Sequence, residues 1–103
     1  MAVIDNFRGI LTVFSEYFSE GSSSKELLEE LEPIFSNHIK GYPGLVSYNL
    51  HISIETDSVF NYFQWKDDDS YQKFCEDETI RKMFLEISGF NDKSFKTKVV
   101  LAS

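Results

Sequence analysis

Three side chains near the middle of the chain have the types and spacing to handle an aromatic substrate. Asn61 and Trp65 stand four residues apart in the run Val59-Phe60-Asn61-Tyr62-Phe63-Gln64-Trp65, which reads as a β-strand, so both project to one face of it. Tyr71 follows just inside a segment that Asp67, Asp68 and Asp69 mark as a helix start, and it can lean over the same face. An indole, a carboxamide and a phenol converging between sheet and helices suit a flat polycyclic phenol. Trp65 would stack on the rings, Asn61 would hydrogen-bond an oxygen, and Tyr71 would donate or relay a proton. Each also has a plainer role open to it: Trp65 as a core anchor with its N–H on a carbonyl, Asn61 as a structural amide at the strand centre, because buried polar groups need partners in any case.

The remaining reactive side chains offer less. His51 alternates away from Leu50 and Ile52, which suits a histidine facing a partner subunit better than a general base. His38 falls near a helix end, where a surface imidazole suits the dipole. Cys75 is a lone cysteine, unable to form an internal disulfide, and its helical position predicts inert core. No Cys/His spacing resembles a zinc site, so no structural metal is expected. Seventeen acidic residues against ten basic give a net charge of −7, which disfavours nucleic acid and anionic membranes as partners. No run reaches the roughly 18 apolar residues of a spanning helix, and Asp5 and Arg8 interrupt the N-terminal apolar residues, so the expected location is the cytoplasm.

The elements that must hold these residues are legible in outline. At 103 residues the chain fits a single domain, 1–103. Gly9 to Phe18 alternates as a first strand. Ser23 and Glu26 have capping-box spacing ahead of Leu27, Leu28, Leu31, Ile34, Phe35 and Ile39, a helix that Pro33 should bend and Gly41 should end. After the Tyr42-Pro43-Gly44 turn, Leu45 to Ile54 reads as strand two. Val59 to Trp65 returns as strand three across a turn at residues 55–58. Helix two carries Tyr71, Phe74 and Cys75. Asp77 caps a shorter helix with Ile80, Phe84, Leu85 and Ile87, and a last strand lies around Ser94 to Leu101.

The order β-α-β-β-α-β is that of the ferredoxin-like split βαβ, an α+β fold with both helical segments on one face of an antiparallel sheet. The far face should then be polar, yet Phe60, Tyr62 and Val100 stand on it while Phe63 and Val99 occupy the other parity. Aromatics make 16% of the chain, an excess that suggests a ring-lined cavity or an apolar interface. A second copy packed sheet to sheet, giving a homodimeric barrel, is the simplest cover.

The run from Pro43 through Ser53, then Asn61-Tyr62-Phe63-Gln64-Trp65, then Asp69-Ser70-Tyr71, resembles the antibiotic biosynthesis monooxygenase family. In that family a Pro-Gly turn opens a strand bearing a histidine and a serine, and the next strand ends in Asn-Tyr-x-Gln-Trp. The resemblance implies a dimeric α/β barrel and a monooxygenase without cofactors. A small phenol, quinol or anthrone-type substrate would be deprotonated, give an electron to dioxygen and become a quinone. It implies catalytic roles for Asn61, Trp65 and Tyr71, and substrate contacts for Arg81, His51 and Phe63. Some quinone-forming members carry an arginine late on the second helical segment, where this chain has Phe84-Leu85-Glu86; Arg81 or Lys82, about a turn earlier, would have to stand in. The haem-degrading branch uses a histidine about ten residues past the tryptophan, where this chain has Cys75, which disfavours haem. The alternative is a non-catalytic dimeric barrel that binds a small hydrophobic ligand or serves in a stress response.

Overall fold

Leu11–Ser19 forms β1, the strand on which the rest of the sheet is built. A computed structural model describes residues 10–97 of the protein. On one side β1 pairs antiparallel with β4 (Ser58–Trp65), from Leu11 opposite Trp65 to Tyr17 opposite Val59. On the other it pairs with β5 (Phe90–Thr97), from Thr12 opposite Thr97 to Ser19 opposite Phe90. The short strands β2 (Leu45–Ser47) and β3 (Leu50–Ser53) both pair with β4, which closes the ferredoxin-like order β2/β3–β4–β1–β5. The last strand begins earlier than the Ser94 expected from sequence. Asp5, Arg8, Gly9, Val99, Val100 and Leu101, which entered the sequence reading, lie outside the described residues.

Strand two was expected to run unbroken from Leu45 to Ile54 but is interrupted at Tyr48 and Asn49, and its register on β4 shifts earlier, between Leu45 and Ser47. The cause is a side chain: the Asn49 N–H donates to Oδ1 of Asn61 at 3.2 Å rather than to a backbone carbonyl, while the Asn49 carbonyl accepts from Tyr62 N–H at 2.9 Å. The Asn49 amide thus leaves the ladder for the carboxamide while its carbonyl stays bonded to β4.

The first helix, α1 (Ser24–Ile34), carries the expected capping box between Ser23 and Glu26. Asp57 Oδ1, on the β3–β4 turn, accepts a second N-terminal amide from Ser24 at 2.9 Å. Pro33, expected to bend the helix, stands just before a π-helical stretch, Phe35–Ile39, in which Lys40 N–H reaches back five residues to Phe35 at 2.7 Å. A proline removes one amide and crowds the carbonyl four residues earlier, and a wider turn accommodates that. Leu27, Leu31, Phe35 and Ile39 form the buried stripe. The second helical segment is two helices, α2 (Asp68–Cys75) and α3 (Glu78–Leu85), capped by Asp67 onto Ser70 N–H at 2.8 Å and by Asp77 onto Ile80 N–H at 3.1 Å. Among the described residues no helix is long and apolar enough to cross a membrane.

Gly44 places α2 against the sheet. Its φ is +85°, and a Cβ there would lie 2.3 Å from Cβ of Ser70. Its carbonyl accepts from Lys66 N–H at 2.7 Å, so the Pro43-Gly44 turn sits pressed between the end of β4 and the start of α2. Gly44→Ala is therefore expected to lower stability by about 2 kcal/mol or more, from the left-handed backbone and the overlap together, measured as a shift of the urea midpoint.

The capping carboxylates predict the acid limb of stability. Asp57 is held below the usual carboxylate range by Ser24, Asp67 by Ser70, and Asp77 first by the Tyr42 hydroxyl and then by Ile80 N–H. The Tyr42 phenol, 2.7 Å from Asp77 Oδ2, is correspondingly pushed up to about 12, by burial first and then by this carboxylate. A lowered carboxyl pKa adds stability above the unfolded value of about 3.9 and loses it as pH falls through the folded one. The melting temperature should hold steady from pH 8 to about 5 and fall below about 4. Asp→Asn at all three caps should flatten that limb in scans across pH.

The two faces of the sheet differ as their parity requires. Val13, Tyr17, Val59, Phe63 and Trp65 turn toward the helices and are buried. Phe14, Phe18, Phe60, Tyr62 and Phe95 occupy the far face; Phe14 is 38% and Phe95 61% exposed, and Phe14 meets Tyr62 edge to face at 4.6 Å.

Candidate active site

A hollow of about 70 Å³ lies between the sheet and the paired helices α2 and α3. Phe63, Phe74, Ile80 and Phe84 wall it with apolar surface. Its polar end is built from Ser15 and Tyr17 on β1, Ser94 on β5 and Tyr71 on α2, and Cys75, Arg81 and Asp92 complete the lining. The small inward residues open this space: Ser15 and Ser94 face each other across the β1–β5 ladder with their hydroxyl oxygens 2.8 Å apart, where larger side chains would fill the gap.

Three of the six residues singled out from sequence meet here. Tyr71 is 8% exposed, and its hydroxyl lies beside Cys75 and Ser94; burial, then the thiol, push its pKa far above the usual phenol value. Phe63 contributes wall. Arg81 brings a guanidinium from α3, one residue after buried Ile80 and one turn before Phe84. Of the two cations expected as a stand-in for the late-helix arginine, Arg81 lines the hollow and Lys82 does not, and Glu86 turns instead to a surface groove shared with Pro33 and His38.

The other three stand elsewhere. Trp65 is fully buried behind the wall, with ring centroids 5.0 Å from Phe74, 5.5 Å from Phe63 and 5.8 Å from Tyr71, and it does not line the hollow. It braces the rings that do, and its indole N–H has no hydrogen-bond partner among the described residues. Asn61 is 1% exposed and also set back: Oδ1 takes the Asn49 amide and Nδ2 donates to the Tyr17 hydroxyl at 3.3 Å. His51 is exposed on the far face opposite Phe60, away from the hollow. Cys75, expected as core, is exposed at the last residue of α2, where the helix ends.

Tyr17, Ser15, Ser94 and Asp92 were not singled out from sequence. The available signal was a small hydroxyl residue, Ser15, between Val13 and Tyr17 in the inward parity of a strand otherwise rich in large side chains. Burial raises the Tyr17 pKa far above the ordinary phenol value, opposed by hydrogen bonds from Asn61 and Ser15. Both phenols are therefore neutral donors across the whole neutral range. The two phenols bring hydrogen-bond donors to the hollow and Arg81 a positive charge, set against the Asp92 carboxylate and beside walls that favour a ring.

No family profile matches the chain. It is 25% identical over 84 residues to tetracenomycin-F1 monooxygenase of Streptomyces glaucescens, spanning 82% of this chain and 75% of that one. Its fold matches a solved antibiotic biosynthesis monooxygenase with a TM-score of 0.72 at 14% identity, over 88% of this chain and 99% of the other. It matches PA3566 from Pseudomonas aeruginosa at 0.74 and 16% identity, over 92% and 98%. It also matches SnoaB, a cofactor-independent oxygenase from Streptomyces nogalater, at 0.64 and 18% identity, over 92% and 99%. Taken with the Asn-Tyr-Phe-Gln-Trp strand, this sequence likeness and shared fold make the antibiotic biosynthesis monooxygenases the proteins that the chain resembles.

Proposed function

We propose that the protein is a cofactor-independent monooxygenase that oxidises a small phenol, quinol or anthrone-type ring to a quinone. The observation that carries this reading is the hollow itself, ring-walled, with Tyr17, Tyr71 and Arg81 furnishing donors and positive charge. A phenolate or enolate bound there is electron-rich enough to reduce dioxygen directly, so the reductant is the substrate. In the balanced reaction a phenol, or an anthrone as its enol, loses one ring C–H and its O–H, one atom of dioxygen becomes the new carbonyl oxygen, and the other leaves with those two hydrogens as water; a quinol reacts this way only where it has a further ring C–H to replace. The protein binds and orients the anion, keeps water out and holds Tyr71 as a proton donor to reduced oxygen. About 70 Å³ is well below the roughly 300 Å³ at the low end of ligand sites, so a polycyclic substrate inserts its reacting ring and parts α2 and α3, each only eight residues long, from the sheet.

In this reading the working unit is a single-domain homodimer in the cytoplasm. The aromatic far face supports the pairing, and a free thiol at Cys75 suits a reducing compartment. The test is oxygen uptake by chelator-treated protein supplied with anthrone. One dioxygen consumed per quinone, with the rate down at least tenfold in Tyr71→Phe, supports it; binding of the ring compound without uptake favours the ligand-carrying barrel instead.

A further inference from the structure

Tyr17 presents a hydrogen-bond donor whose direction is set by the chain behind it. The Asn49 amide can only donate, so the Asn61 atom 3.2 Å from it is the carbonyl oxygen, and the carboxamide orientation follows without ambiguity. Nδ2 of Asn61 must then face Tyr17, 3.3 Å away, and since that nitrogen also only donates, the phenol oxygen is the acceptor. The Tyr17 proton is left to point away from Asn61. The Ser15 hydroxyl stands beside the phenol and, like the Tyr17 ring, lines the hollow, so the proton is directed to the hollow's polar end. The ring is held still, stacked on Phe84 at 5.9 Å and Phe90 at 5.8 Å and edge-on to Phe35 at 6.1 Å. A donor fixed in place before the ligand arrives is the arrangement that stabilises localised negative charge.

We infer that Tyr17 contacts the ligand and donates to its anionic oxygen, with Asn61 as a positioning residue that acts through Tyr17. The relay Asn49 N–H to Asn61 to Tyr17 runs one way, and its output is a proton offered to the hollow. The site therefore selects aryl oxyanions over neutral aryl ethers or ketones of the same shape. This inference deepens the proposed function and rests on its placement of the ligand, but not on any oxygen chemistry. The other groups that share the hollow's charge balance are Arg81, Asp92 and Tyr71.

The test uses 4-nitrophenol, which changes colour on ionising and is not oxidised by dioxygen, titrated into the full chain across pH. In the wild-type protein the bound phenol should ionise with a dissociation constant raised above that in water. Tyr17→Phe should undo roughly tenfold to a hundredfold of that effect, the range for one hydrogen bond to a charged group, with little change in affinity for neutral 4-nitroanisole. Asn61→Asp is the sharper variant. Its carboxylate still accepts from Asn49 but now accepts from Tyr17 as well, which turns the proton away from the ligand. It should lose as much as Tyr17→Phe, and the double variant no more than either alone. Unchanged ionisation in Tyr17→Phe overturns the inference. So does absence of 4-nitrophenol binding, or a wild-type response in a folded Asn61→Asp protein. Should that variant not fold, Tyr17→Phe decides alone, since it keeps the ring and its packing. Bound nitrophenolate without oxygen uptake from any substrate would leave this inference standing and remove the monooxygenase reading.

Discussion

Replacing Arg81 with alanine is expected to lower kcat/KM for a phenol or anthrone by about a hundredfold, the low end of the range for removing one group that stabilises an oxyanion. The low end applies because Arg81 is exposed, where solvent and salt weaken its field. The same argument predicts that raising ionic strength lowers wild-type kcat/KM while leaving Arg81→Ala nearly unaffected. Arg81→Lys should recover only part of the loss, since an ammonium keeps the charge but not the two-pronged geometry. Lys82→Ala is the control: Lys82 follows Arg81 in sequence but does not line the hollow, and its variant should stay within about twofold of wild type. Steady-state kinetics at two salt concentrations check all four statements. Equal losses in Arg81→Ala and Lys82→Ala would mean that net charge, rather than placement, governs the rate.

The second large effect is expected at the far face. A Phe95→Asp chain should run as a monomer in sedimentation while keeping its far-UV circular dichroism. Phe95 is 61% exposed and is the cross-strand neighbour of Phe14, so the isolated subunit loses little by the change. In a two-fold interface each substitution occurs twice, and two unpaired charges buried at about 3 kcal/mol apiece weaken association by roughly 10⁴-fold. A variant that remains dimeric would show that the subunits meet through some other surface.

What the sequence made legible is what local chemistry decides. Ser23 with Glu26, and Asp67 and Asp77 ahead of their helices, act within four residues of themselves, and each caps where its spacing indicates. Strand parity likewise sorted Phe63 from Phe60 and put His51 on the far face. Parity gives the face but not the depth. Asn61 and Trp65 share the inward face with Phe63, yet only Phe63 reaches the hollow, because α2 brings Tyr71 and Phe74 down over the indole. The break at Tyr48 and Asn49 was hidden for a related reason: the alternation of Val46, Tyr48 and Leu50 is unbroken in sequence, and what interrupts the strand is an amide from β4. Tyr17 enters the site through a register, Ser15 opposite both Asn61 and Ser94, that pairing fixes and composition does not.

The proton inventory also constrains the pH profile. With Tyr17 and Tyr71 both pushed far above the ordinary phenol value, neither titrates near neutrality, so the rise of kcat/KM with pH should follow the ionisation of the free substrate. A series of phenols of differing acidity should move that rise in step, with no descending limb from these two tyrosines below about pH 10.

The central claim, that this hollow lets a bound aryl anion react with dioxygen unaided, is tested most directly by isotope. Chelator-treated protein turning over anthrone under ¹⁸O₂ should give anthraquinone with a single ¹⁸O, the second labelled atom appearing in water. Quinone carrying no label, or turnover that stops when metal is stripped, would contradict it.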